Sequence, residues 1–257
     1  MIVSLPEAVA SVPDRACVYL GNFGAQLFAV GHEMIRVRRR GLRIVAASGG
    51  ILLDELIAEN VTTDVVTSHC WNPVGPARTE HFQRGAQEGW LTITELSFGA
   101  LCSALTAAAA DVPFTTTSDL SRTDYLARSG GMLAEIRCEF GSATVVKALA
   151  PDVAFLHVDS ATEDGRGWVV SPLADVLVAA QAARRTVLVA EEIGEGEGPA
   201  TIPGVLVSSV VHAPGAVRPD GAAGRYARDP TAYAVYSTVA GTAEGRAAWR
   251  QTLRSTP

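Results

Sequence analysis

Glu95 is the side chain best placed for acid–base chemistry in this 257-residue sequence. It follows a strand-like run, Leu91-Thr92-Ile93-Thr94, and precedes a helix that starts near Ser97. A carboxylate in that position is partly desolvated, yet steadied by the positive end of the helix dipole. A helix-end carboxylate with no chemical role has the same sequence, and the residues alone weigh the two readings equally. Gly21-Asn22-Phe23-Gly24 offers a different chemistry. It closes an apolar run, and a glycine pair at a strand end lets a substrate approach the backbone, whose N–H groups can hold an oxyanion. Taken alone, such glycines are more often only turns.

Other polar groups are weaker candidates. His32 lies on an expected helix and reads as a surface or capping residue. His157 and His212 lie in or at the end of strands, where a satisfied core histidine is commoner than a base. Glu191-Glu192 follow a strand and suit a cap or an inter-subunit contact. No G-x-S-x-G elbow is present, which disfavours a serine hydrolase of that type. The four cysteines, Cys17, Cys70, Cys102 and Cys138, show no metal spacing, so no metal site is expected. Each sits in or beside an apolar run, as reduced thiols of a cytoplasmic protein do.

The elements that must position these residues alternate. Apolar runs over 16–20, 43–47, 63–67, 153–158, 185–190 and 205–211 read as strands buried on both faces. Helices are expected over 28–40, stopped by Gly41, and over 52–58, 81–89, 99–110 and 173–183. Residues 115–131 read as a long surface loop. This rhythm predicts a mostly parallel sheet with helices on both faces, in one domain over 1–257.

Composition narrows the function. Net charge is −6 and the pI near 5.4, which argues against a nucleic-acid partner. The basic run Arg36, Arg38, Arg39, Arg40 and Arg43 reads first as a solvated helix end and second as a polyanion contact. No apolar run reaches the roughly 20 residues of a membrane span, and the first residues lack the pattern of a secretory signal.

Several segments together carry a family resemblance. They are Gly21-Asn22-Phe23, Ser48-Gly49-Gly50-Ile51-Leu52-Leu53-Asp54, Asn72-Pro73-Val74-Gly75-Pro76, Glu95 to Leu101, Pro151-Asp152-Val153-Ala154, and Ala213-Pro214-Gly215 with Pro219-Asp220-Gly221. In order and spacing the chain resembles the alpha subunit of family I CoA-transferases, the glutaconate CoA-transferase type. Asn22 and Arg218 depart from the family pattern, which has Gly and His there.

The resemblance implies a CoA-transferase/NagB-like α/β fold. It also implies a beta subunit, in a heterodimer or heterotetramer, whose glutamate attacks the thioester. The substrates would be an acyl-CoA and a carboxylic acid, with coenzyme A thioester as substrate and no tightly bound cofactor. Gly21, Asn22 and Phe23 would supply oxyanion donors, and Ser48, Gly49, Gly50, Ser68 and Asn72 the substrate contacts. In a ring-opening hydrolase branch of the family a glutamate matching Glu95 is the base. That gives a second reading, hydrolysis or C–C cleavage of an acyl-CoA. A third is a non-catalytic subunit that only stabilises its partner.

Overall fold

The computed structural model describes residues 1–74, 79–118, 120, 122–170, 173 and 175–254. Gly75 and Pro76 of the third motif lie outside them. The strands are β1 (Cys17–Leu20), β2 (Leu42–Ala46), β3 (Thr62–Thr67), β4 (Thr92–Glu95), β5 (Phe114–Thr116), β6 (Leu133–Cys138), β7 (Gly141–Lys147), β8 (Val153–Ala161), β9 (Gly167–Trp168), β10 (Thr186–Ile193) and β11 (Ser209–His212). The helices are α1 (Leu5–Ala10), α2 (Phe28–Arg36), α3 (Ile51–Ala58), α4 (Glu80–Glu88), α5 (Phe98–Ala109), α6 (Tyr125–Arg128), α7 (Val176–Ala182), α8 (Pro230–Val239) and α9 (Ala243–Arg254).

Seven strands form a parallel sheet in the order β11-β10-β8-β1-β2-β3-β4, with β9 antiparallel on β8. The apolar runs explain it. All nine residues of β8 are buried, the polar His157, Asp159 and Ser160 included, as a strand covered on both faces requires. Val18, Ile44 and Phe155 point into one core with α2, α3 and α8; Tyr19, Val45 and Leu156 point into a second core with α5 and α7. Chain order reverses between β1 and β8, the place where parallel sheets open a crevice at their carboxyl ends.

Three expectations need correction. Helix α2 ends at Arg36 rather than at 40, because Arg38 turns to φ +57°. The segment expected to begin the last strand starts instead with a 3₁₀ turn, Gly204–Leu206, and β11 begins at Ser209. The expected loop 115–131 contains the end of β5 and helix α6. A separate antiparallel sheet, β5-β7-β6, packs Leu133 and Val146 into the second core. Five of the six residues of β6 are exposed, so the run has no alternation that would betray it.

The carboxyl-terminal helices dock through charge. Buried Glu55 on α3 accepts from Arg250 Nη1 at 2.5 Å and lies 2.9 Å from His32 Nε2. Glu59 accepts from Arg246 and Arg250 at 2.9 and 3.2 Å. His32 is thus a buried partner of Glu55, not a surface or capping residue. Four of the five arginines of the basic run have partners within the fold, although Arg36, Arg38 and Arg40 are solvent-exposed. Arg36 pairs with Glu33, Arg39 with Asp14, Arg43 with Asp64, and Arg40 donates to the Glu59 carbonyl.

Candidate active site

Because β1, β2, β3 and β4 are parallel neighbours, their carboxyl ends place Gly21, Ser48, Ser68 and Glu95 along one edge of the sheet. Thr67 pairs with Glu95 in register, and the Leu96 N–H donates to the Thr67 carbonyl at 3.2 Å. Two residues on, Ser97 caps α5 through the Ala100 N–H at 3.1 Å. Glu95 therefore sits at a strand end just before a helix, as its sequence predicts. Its side chain is 34% exposed and faces Arg128 of α6 at 3.5 Å. Nothing in the sequence singles out Arg128, because it lies in the segment that reads as a loop. Phe98 stacks on Phe23, centroids 4.8 Å apart, and makes an apolar wall at this edge.

The turn after β1 is built differently from expectation. Gly21 has φ +82°, and a Cβ there would lie 2.8 Å from the Ala25 carbonyl oxygen, so only glycine fits. Its N–H donates to Phe155, the Asn22 N–H to Ala25 and the Phe23 N–H to Asp175. The oxyanion role expected of these three residues thus finds every backbone donor already engaged. The Asn22 side chain is engaged as well. Its Nδ2 donates to the His157 carbonyl at 2.8 Å, and its Oδ1 accepts from the His157 N–H at 3.1 Å. The amide imitates one more peptide of β1 and extends its pairing with β8.

Ser48 lies 2.9 Å from His69 Nε2, and the Gly49 N–H donates to the His69 carbonyl. Gly49 and Gly50 are required by packing: a Cβ on Gly49 would lie 2.6 Å from Leu53 Cδ2, and one on Gly50 would overlap the Gln26 amide. Ser68 Oγ is buried with no hydrogen-bond partner among the described residues. Asn72 is buried and holds its own loop, accepting from Val74 and reaching Ser237 on α8. His69 escapes a reading of the sequence, since a single histidine beside a cysteine carries no spacing signal.

The remaining carboxylates near this edge are locked. Asp175 takes hydrogen bonds from Tyr19 OH and the Phe23 N–H, while burial pushes its carboxyl up. Glu191 is buried, which opposes ionisation. Hydrogen bonds with His157, Gly215 and Tyr226 nevertheless hold it below the usual carboxylate range. Asp159 binds Arg225, and Asp220 binds Arg228. His157 is a core histidine, and residues 220–226 of the last motif line an open pocket of about 520 Å³ together with Gly24. Among the aromatic residues of the chain, Phe28 is buried core, while Trp71 and Trp90 are exposed. Among the described residues no group of three His, Cys, Asp or Glu side chains could hold a metal ion, and no helix is long and apolar enough to cross a membrane.

The Coenzyme A transferase family model matches residues 2–213, and the chain belongs to that family, an enzyme family acting on acyl-CoA. It is 28% identical to one of the subunits of the 3-oxoadipate CoA-transferase of Pseudomonas knackmussii, across 96% of this chain and 91% of the relative. A crystal structure of a variant of the decarboxylase AibA/AibB superposes with TM-score 0.89 at 27% identity, over 100% of this chain and 98% of that one. Glutaconate coenzyme A-transferase from Acidaminococcus fermentans shares the fold, with TM-score 0.88 at 22% identity, over 98% of this chain and 87% of that one.

Proposed function

We propose that this chain is one half of a heteromeric enzyme that moves coenzyme A between carboxylic acids, with the nucleophilic glutamate on the second subunit. One observation carries the reading. The carboxylates Asp159, Asp175, Glu191 and Asp220 are buried in the fold, whereas Glu95 is partly accessible at the ends of β3 and β4, beside an arginine rather than in an oxyanion pocket. Such an edge is half of a site. The partner's glutamate would attack the acyl-CoA and pass through an anhydride to a glutamyl-CoA thioester, splitting one acyl exchange into easier steps. Arg128 would bind the carboxylate of the acid, and the Phe23–Phe98 wall its apolar part. The similarity to part of a 3-oxoadipate CoA-transferase supports a carboxylic-acid acceptor.

A second reading is favoured by Glu95 itself. A half-buried carboxylate at a strand end can act as a general base, and the likeness to a decarboxylase supports C–C chemistry on the same fold. Reconstitution tests the first reading. Neither chain by itself should form a new acyl-CoA from a donor thioester and a free acid, and an equimolar mixture should do so. Acid release with no new acyl-CoA, lost in Glu95→Gln, would move the assignment to the second reading.

A further inference from the structure

Ser48 and His69 form a pair that the glutamate chemistry above does not use. Ser48 Oγ is 2.9 Å from His69 Nε2, at the ends of adjacent strands β2 and β3. His69 is exposed, and its ring stands edge-on to Trp71 with centroids 6.2 Å apart at 83°. Partial burial holds its basicity below the ordinary imidazole range, so the ring is neutral near pH 7 and free to take a proton. Carboxylates pair with His32 and His157 but not with His69 among the described residues, so this is a couple rather than a triad. Gly49 and Gly50 lead from Ser48 into α3, whose first turn has no side-chain cap, and the Gly49 N–H is held by the His69 carbonyl. A hydroxyl within hydrogen-bond reach of an imidazole is the arrangement that activates a serine.

We propose that Ser48 is a nucleophile of this chain and His69 its general base, acting on activated acyl groups, thioesters above all. Ser48 Oγ bonds to the thioester carbonyl carbon while its proton passes to His69 Nε2. The C–S bond breaks, its electron pair leaves on sulfur, and the imidazolium returns the proton to that thiolate. Water, deprotonated by the same imidazole, then attacks the Ser48 ester; the ester C–O bond breaks, the imidazolium returns its proton to Ser48 Oγ, and the carboxylic acid is released. The net change is thioester plus water to acid plus thiol. Both residues belong to this chain, so the activity does not require the partner's glutamate.

The test uses the full-length chain, alone and with its second subunit, treated with a fluorophosphonate and mapped by peptide mass. The expected result is an adduct on Ser48 in either preparation, forming about tenfold or more slower in a folded His69→Gln protein and absent in Ser48→Ala. No adduct on Ser48, or one that forms equally fast in His69→Gln, overturns the proposal. Because labelling needs no CoA transfer, its failure is separate from failure of the transferase reading.

Discussion

Asn22 shows how one side chain can change the reading of a motif. Its amide makes two hydrogen bonds to the backbone of His157 in the core of the sheet. Asn22→Ala would leave a buried N–H and C=O unpaired, and should cost about 2–4 kcal/mol in urea unfolding. A loss below about 0.5 kcal/mol would mean that water replaces the amide there. Only the second reading gives Glu95 a chemical step, that of general base. On that reading Glu95→Gln in the assembled enzyme should lower kcat by about 100-fold or more with little change in stability, since a general base contributes on that order. Unchanged turnover would assign Glu95 to the helix end alone. The thiols are ranked by burial, which pushes Cys17 and Cys102 up to about 11 and Cys70 well above its ordinary value, whereas Cys138 is exposed. Mass mapping of alkylation at pH 8 should find Cys138 modified first.

Helix α9 illustrates what an element needs from its neighbours. Its arginines neutralise Glu55 and Glu59 on α3, and removing one partner strands a buried charge. Arg250→Ala should cost about 3–5 kcal/mol in chemical denaturation. The sign of the pH effect follows from Glu59. Burial opposes its ionisation, but Arg246 and Arg250 outweigh that and hold its folded-state carboxyl below the usual range. A depressed carboxylate stabilises fully above its unfolded value, about 4.3, and that stability is lost as pH falls through the folded value. Thermal unfolding should show α9 loosening in that acid window, and a flat response would show that the ion pairs contribute little.

At the scale of the whole molecule, the parallel sheet is legible in the sequence because β1, β2, β8 and β10 are mostly apolar runs without the alternation of a half-exposed strand, a pattern that needs helices on both faces. The strand-end placement of Glu95 is legible from the short run Leu91 to Thr94 before it and the helix start at Ser97 after it. The β6–β7 hairpin is not, since its exposed face breaks the alternation. Neither is the binding of Asn22, which depends on β8 lying beside β1 although 135 residues separate Asn22 from His157. His32 misleads because its partner Glu55 lies on another helix. Trp71 and Val170 are exposed, and in the proposed assembly with a second chain they would be covered. Adding that second chain should slow amide hydrogen exchange in 68–72 and 95–99 while leaving α9 unchanged.

The central claim, that this chain completes a site whose nucleophile is elsewhere, is tested most directly by trapping the intermediate. The assembled enzyme is incubated with an acyl-CoA, reduced with borohydride, and each chain is weighed intact. The expected result is a mass loss from glutamate reduction on the second subunit, with none on this chain. Turnover with no mass change on either chain, abolished by Glu95→Gln, would contradict the claim and place the reaction's base here.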